Sequence, residues 1–137
     1  MELEEAITSH LLSRPGLTAL IDRRFYFDEL PAEWTLKTGP AVVCLQVSDI
    51  KLHTHDGQLA LESPLYQFTA YASTKLAVKA VATQIKAALC DYKGDMGGLY
   101  AQYVRLMNEL TGLETSADGA IKVHTTDLEF EFNYEKE

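Results

Sequence analysis

The sequence contains only two cysteines, Cys44 and Cys90, and neither belongs to a CxxC pair. Each lies within a periodic apolar run, where a free cysteine behaves as a small hydrophobic residue. We therefore expect two reduced thiols packed in the interior of a cytoplasmic protein.

Basic residues are scarce. Lys and Arg together number 12 against 20 Asp and Glu, which gives a formal net charge of −8. An acidic surface repels phosphate, so sequence-specific binding of nucleic acid through counterion release is not expected. An acidic passage would still let DNA slide through. The same charge keeps free subunits apart, so assembly would need a specific partner surface.

Long hydrophobic runs are also missing. No apolar stretch approaches the roughly 20 residues that span a bilayer, and the first five residues, MELEE, are acidic where a secretory signal would be basic. We expect no contact with a membrane. With 137 residues, an apolar fraction of 47% and no linker or repeat, the chain is expected to form one domain over residues 1–137.

Hydrophobic periodicity predicts an α+β fold, with a mostly antiparallel sheet of about four strands packed against two main helices. In the last strand, Leu128, Phe130, Phe132 and Tyr134 should face inward, and alternate positions of 65–72 should share one face. Turn composition predicts loops at 53–58 and 111–120, and Pro64 marks the entry to a strand. The predicted helices are 2–14, one further turn at 17–21, and 74–91; the predicted strands are 24–27, 41–52, 65–72, 99–107 and 121–134.

The helix at 74–91 has the clearest pattern. Ser73 is a suitable N-cap, and Gly94 is predicted to close the end. Leu76, Ile85 and Leu89 are expected to be buried against the sheet.

The strongest metal candidate is His53-x-His55-Asp56. In an extended segment, residues two apart point the same way, so both imidazoles would reach one ion. A zinc site needs three or four placed ligands, however, and no further ligand lies nearby in sequence. A solvated turn without metal is therefore the expected state.

Other possible catalytic groups lack partners. Glu129, Glu131 and Glu135 alternate on the face opposite the aromatic residues, where nothing nearby would raise one carboxyl pKa for acid–base work. Ser9 and His10 have no acidic residue to orient the histidine. The glycine-rich segment 94–98 lacks the Gly-Lys-Ser/Thr ending of a phosphate loop. We expect no enzyme activity, no catalytic residue and no cofactor.

Two segments are candidates for protein contacts. Trp34 lies in an acidic loop, where it serves either as an interface anchor or as a lid over the core. Leu59 and Leu61 alternate as on an arm with one apolar side, so they either meet a partner or fold back onto their own core. The candidate interface residues are Trp34, His53, His55, Asp56, Leu59 and Leu61.

Taken together, the pattern resembles the small tail completion (tail-to-head joining, or tail terminator) proteins of long-tailed phages and prophages. The resemblance covers roughly residues 1–134. It is carried by PGLTALI at 15–21, RFYFDELP at 24–31, GPAVV at 39–43, LYQFTAYA at 65–72, KLAVKAVA at 75–82 and IKAAL at 85–89.

The resemblance implies a structural subunit that forms a homo-oligomeric, usually hexameric ring. Such a ring caps the tail tube, faces the head connector and has no catalytic residues. It implies assembly in the host cytoplasm and a final place at the head-proximal end of the virion tail. Head-closure or minor tail subunits remain alternatives. So does a small-molecule-binding or ferredoxin-like dimeric protein, whose pocket would be lined by Tyr66, Phe68, Tyr100 and Tyr103.

Overall fold

The computed structural model describes residues 3–31, 34, 39–54, 57–96, 99–115 and 122–135; side chains are described for 3–31, 34, 39–47, 64–96, 99–114 and 122–134. These residues contain three helices and six strands, with the third helix between two sets of three strands. They are α1 (Leu3–Leu12), α2 (Pro15–Ile21), β1 (Phe25–Phe27), β2 (Ala41–Thr54), β3 (Gly57–Ala72), α3 (Lys75–Leu89), β4 (Gly94–Met96), β5 (Leu99–Thr115) and β6 (Lys122–Glu135).

All six strands form one sheet, in the order β1-β2-β3-β6-β5-β4. Only β1 and β2 pair in parallel, and every other neighbouring pair is antiparallel. The mixed α+β prediction is confirmed, but the count of about four strands and two main helices is wrong. The helical turn predicted at 17–21 is α2, and β4 went unrecognised because it has three residues within a glycine-rich segment.

The hairpin of β2 and β3 extends further than predicted. Its backbone pairing continues to His53 opposite Gln58 and Thr54 opposite Gly57, within the predicted turn at 53–58. Pro64 lies inside β3 and does not open it. Proline lacks an N–H group, and the pairing of β3 with β6 has partners at Glu62 and Leu65 but none between them.

β5 also outruns its predicted end at residue 107. Pairing with β6 continues to Thr115 opposite Lys122, so residues 111–115 of the predicted loop are strand. Cross-strand pairing along β6 outweighs the polar, glycine-containing composition that predicted a loop. Residues 116–121 lie outside the described part of the chain.

One face of the sheet packs against all three helices and contains the core. Phe68 meets the rings of Phe130 and Phe132, with centroid distances of 5.8 and 6.1 Å. Leu128, Phe130 and Phe132 are buried and Tyr134 packs partly buried against the same cluster, which confirms the inward face predicted for β6. The predicted sharing of a face by Tyr66, Phe68, Ala70 and Ala72 is confirmed as well, since all four are buried in this core.

Helix α3 buries a different stripe from the one predicted. Ile85 and Leu89 are fully buried, but Leu76 is 82% exposed, so its predicted burial is wrong. At 3.6 residues per turn, nine positions rotate a side chain by about 180°, which puts Leu76 on the opposite side of the helix from Ile85. The buried set is Val78, Val81, Ala82, Ile85, Ala88 and Leu89.

Both predicted ends of α3 also shift. Thr74, not Ser73, is the N-cap, because its hydroxyl accepts the Ala77 N–H at 3.1 Å. The helix ends at Leu89, and Gly94 begins β4 and does not cap α3.

Candidate assembly surface

The face of the sheet opposite the helices, which we call the open face, carries a row of acidic residues on β6. Asp127, Glu129 and Glu131 alternate along the strand with the buried residues Leu128 and Phe130. Because successive side chains of a strand point to opposite faces of the sheet, the apolar residues face the core and the carboxylates face outward. The result is an acidic strip along the middle of the sheet.

Neighbouring side chains hold two of these carboxylates in place. The Thr69 hydroxyl donates to Asp127 at 2.7 Å, and Arg105 lies 3.3 Å from Glu131. Burial, together with Glu114 and Asp127, raises the pKa of the Tyr71 phenol above its usual value. The strip is thus ordered and electronegative, with Arg105 as a cation on the adjacent strand.

The two long strands β2 and β5 each have one edge that is only partly paired. β4 pairs with β5 only at residues 99–101. Backbone hydrogen bonds between Val104 and residues 91–92 cover the same edge of β5 as far as Val104. Beyond Val104, β5 has no strand on that side among the described residues. β1 likewise covers β2 only at residues 42–44, which leaves 46–54 without a described partner on that edge. Unpaired strand edges are templates for pairing with another chain.

Large apolar side chains are exposed close to these edges. In the described part of β2, Leu45 and Val47 are 43% and 47% exposed. Along β5, every residue from 107 to 114 is exposed, including Met107, Leu110 and Leu113. Leu113 was not predicted to lie on an exposed strand, because the composition of 111–120 predicted a loop. Its apolar side chain within that polar stretch was the available signal.

A groove of about 620 Å³ opens beside β1. One wall is the outer side of α1, with Glu4 and Glu5, and the other contains Arg23 and Phe27. Glu4 accepts a hydrogen bond from the Tyr66 hydroxyl at 3.3 Å.

A smaller cavity of about 260 Å³ lies between α3 and β5, on the helical side of the sheet. Lys86 spans it and pairs with Glu109 at 3.2 Å. The hydroxyl of Thr126 is buried and has no hydrogen-bond partner among the described residues. The lining residues are Lys79, Ala82, Thr83, Lys86, Glu109, Thr111 and Thr126.

The sequence matches the model of one protein family, described as tail completion protein gp17, over residues 5–131. The chain belongs to this tail completion family. It is therefore a structural protein of phage tails, in agreement with the resemblance noted in the sequence.

Among solved structures, a chain in the virion of a native gene transfer agent (GTA) particle has the same fold as this tail completion family member. The TM-score is 0.73 at 16% sequence identity, and the match covers 96% of this chain and 93% of that chain. No curated protein matches the sequence.

The predicted contact residues of this tail completion family member have separate locations. Trp34 is partly buried; its indole N–H donates to the Gly39 carbonyl at 3.1 Å, and its ring lies 6.0 Å from that of Tyr71. It thus packs beside the open face, and its role as an interface anchor stays a prediction. His53 lies in β2 near the hairpin end, while His55 and Asp56 lie outside the described residues.

Leu59 and Leu61 lie on β3, on the same hairpin as His53. Their backbone is strand, as the alternation indicated, but their side chains lie outside the described set. Their contact with a partner stays a prediction.

The four aromatic residues proposed to line a pocket do not come together. Tyr66 and Phe68 are core residues, whereas Tyr100 and Tyr103 are 47% and 40% exposed. The Tyr103 hydroxyl instead donates a hydrogen bond to Asp91 at 3.0 Å, and this hydrogen bond raises the pKa of the Tyr103 phenol.

Several titratable groups are structural. His10 is buried, its Nε2 lies 2.9 Å from the Ala88 carbonyl, and its ring packs at a tilt against that of Tyr92, with centroids 4.4 Å apart. Burial lowers the pKa of His10, whereas burial raises the pKa of the free thiols of Cys44 and Cys90. Cys44 is buried as predicted, and Cys90 is partly so.

Within the described ranges, no three His, Cys, Asp or Glu side chains form a group that could hold a metal ion. Among the described helices, none has the length and apolar character that crossing a bilayer requires.

Proposed function

We propose that this protein caps the tail tube as a homo-oligomeric ring, with six subunits as the expected number, and joins the tail to the head connector. Membership of the tail completion family carries the proposal. The partners are further copies of the chain, the tail tube protein and the head connector. Assembly takes place in the host cytoplasm, and the final position is the head-proximal end of the virion tail.

The sheet edges support ring formation. The unpaired parts of β2 and β5 lie on opposite sides of the subunit, so contact between them is heterologous and repeats from subunit to subunit. β2 pairs antiparallel with β3, β3 with β6, and β6 with β5. β2 and β5 therefore run in opposite directions. A neighbour's β2 would therefore extend the sheet beside β5 with the same antiparallel pattern.

The positions of the unpaired segments favour a closed sheet over a flat one. The free part of β2 lies toward its hairpin tip, whereas the free part of β5 lies toward the opposite end of the sheet. When the free part of β5 in one subunit pairs with the free part of β2 in the next, the second subunit is shifted along the strand direction relative to the first. Closing a sheet into a barrel requires such a stagger, which tilts the strands against the axis.

The open face then suits a passage for DNA. Helices cover the other face, so a ring with its sheet inward presents Asp127, Glu129 and Glu131 to the channel. Carboxylates repel phosphate at close range, and no counterion release favours binding. DNA would pass without being held.

The test is electron microscopy of tails assembled with and without this protein. We expect tails made without it to have abnormal length or to fail to join heads, and adding the purified protein should restore joining. Tails of normal length that join heads without it would refute the proposal. A head-closure role is the second candidate, and it predicts binding to isolated filled heads in place of isolated tails.

A further inference from the structure

The cavity between α3 and β5 contains a hydrogen-bonding group that no described residue satisfies. Thr126 lines the cavity and is 1% exposed, and its hydroxyl has no partner among the described residues. Buried hydroxyls in native proteins are nearly always hydrogen-bonded. The cavity therefore offers a polar atom that is available to a further hydrogen-bonding group.

The same cavity has an excess of positive charge. Glu109 pairs with Lys86 at 3.2 Å, but Lys79 has no ion pair with any described residue. The Thr83 hydroxyl is already used, since it donates to the Lys79 carbonyl at 2.9 Å. One cation and one unpaired hydroxyl thus converge on about 260 Å³, a space equal to several water molecules. This combination suits a carboxylate.

The complementary charge lies at the other edge of the subunit. Glu5, Asp28 and Glu29 are exposed beside β1, and Glu4 lines the same groove; we call these four residues the β1 acidic edge. Glu4 and Glu5 line the groove itself, and Asp28 and Glu29 directly follow β1 in the chain. Arg23 is a cation in this groove.

We propose that the α3–β5 cavity receives a carboxylate from the β1 acidic edge of a second copy of this chain. The proposal rests on the proposed ring, in which the β5 side of one subunit meets the β2 side of the next, and β1 lies on that β2 side. A phosphate has similar chemistry. DNA would run along the open face, however, whereas the cavity lies on the helical side of the sheet.

The test exchanges the charges of the two surfaces. Lys79→Glu gives one variant, Glu5→Lys with Glu29→Lys gives a second, and a third combines all three changes. Ring formation is measured by light scattering after size exclusion, and by electron microscopy on isolated tail tubes. Because like charges in contact cost several kcal/mol, each partial exchange should raise the concentration for half-maximal ring formation about tenfold or more. The combined variant should recover most of this loss.

One matched control and one further test variant isolate the contact. Lys75→Glu makes the same charge change at an exposed position of α3 that does not line the cavity, and it should leave ring formation unchanged. Thr126→Val removes the unpaired hydroxyl, so the subunit should remain as stable as the wild type while ring formation weakens. Circular dichroism checks that each variant is folded.

Normal ring formation by Lys79→Glu would overturn the contact and leave the ring itself standing. So would a combined variant that stays as defective as its parents. If Lys79→Glu forms normal rings but alters DNA passage, the cavity binds phosphate and the proposal is wrong. If the wild-type chain forms no ring in solution or on tail tubes, the proposed function fails first and the contact fails with it.

Discussion

Truncating Leu89 tests how α3 packs on the sheet. Its side chain is fully buried within the core cluster shared by the helices and the sheet. Removing three carbons from such a site costs the lost transfer free energy plus the cavity left behind, so Leu89→Ala should lower the free energy of unfolding by about 2–5 kcal/mol. For a chain of this size, a loss of 1 kcal/mol lowers the melting temperature by roughly 3 °C.

Leu76 supplies the matched control on the same helix. It is 82% exposed, so Leu76→Ala should change the free energy of unfolding by less than about 0.5 kcal/mol. Both variants are unfolded in urea and followed by circular dichroism. The protein concentration is kept below that at which rings form, since assembly adds its own stabilisation. Equal effects of the two substitutions, or a negligible effect of Leu89→Ala, would refute the packing of α3 described above.

Three further predictions concern histidines and the long hairpin. Burial lowers the pKa of His10, so below about pH 6.5 the unfolded chain binds more protons than the folded chain. The free energy of unfolding should therefore fall as the pH drops through 6.5. His10→Gln should reduce this dependence on pH in urea titrations, whereas an unchanged dependence would exclude His10 as its source. Leu59→Asp with Leu61→Asp should abolish ring formation while melting stays near normal; a collapse of melting would assign both leucines to the core, and normal rings would rule out the arm contact. His53→Ala with His55→Ala should leave fold and metal content unchanged, and stoichiometric zinc in the wild type that this variant loses would contradict the prediction.

The regular elements follow from local patterns. β6 alternates aromatic and acidic residues over most of its length, and α1 repeats apolar residues at spacings of three and four, so both were predicted nearly to their ends. Leu76 shows where the pattern misleads, since an apolar residue near a helix start does not reveal which side faces the sheet.

The long hairpins depend on tertiary pairing. Gly112 and the polar residues around it predict a loop, yet this part of β5 pairs with β6. The same holds for His53 and Thr54 opposite β3. The cavity with Thr126 brings residues of α3 together with residues of β5 and β6 that lie far from them in sequence, and no local pattern signals it.

The most direct test of the ring is electron microscopy of the purified protein bound to isolated tail tubes. The proposed function predicts one closed ring at the head-proximal end, with six-fold symmetry in averaged end views and a sheet continuous between subunits. Monomers or dimers that leave the tube ends bare, or binding to filled heads alone, would contradict it.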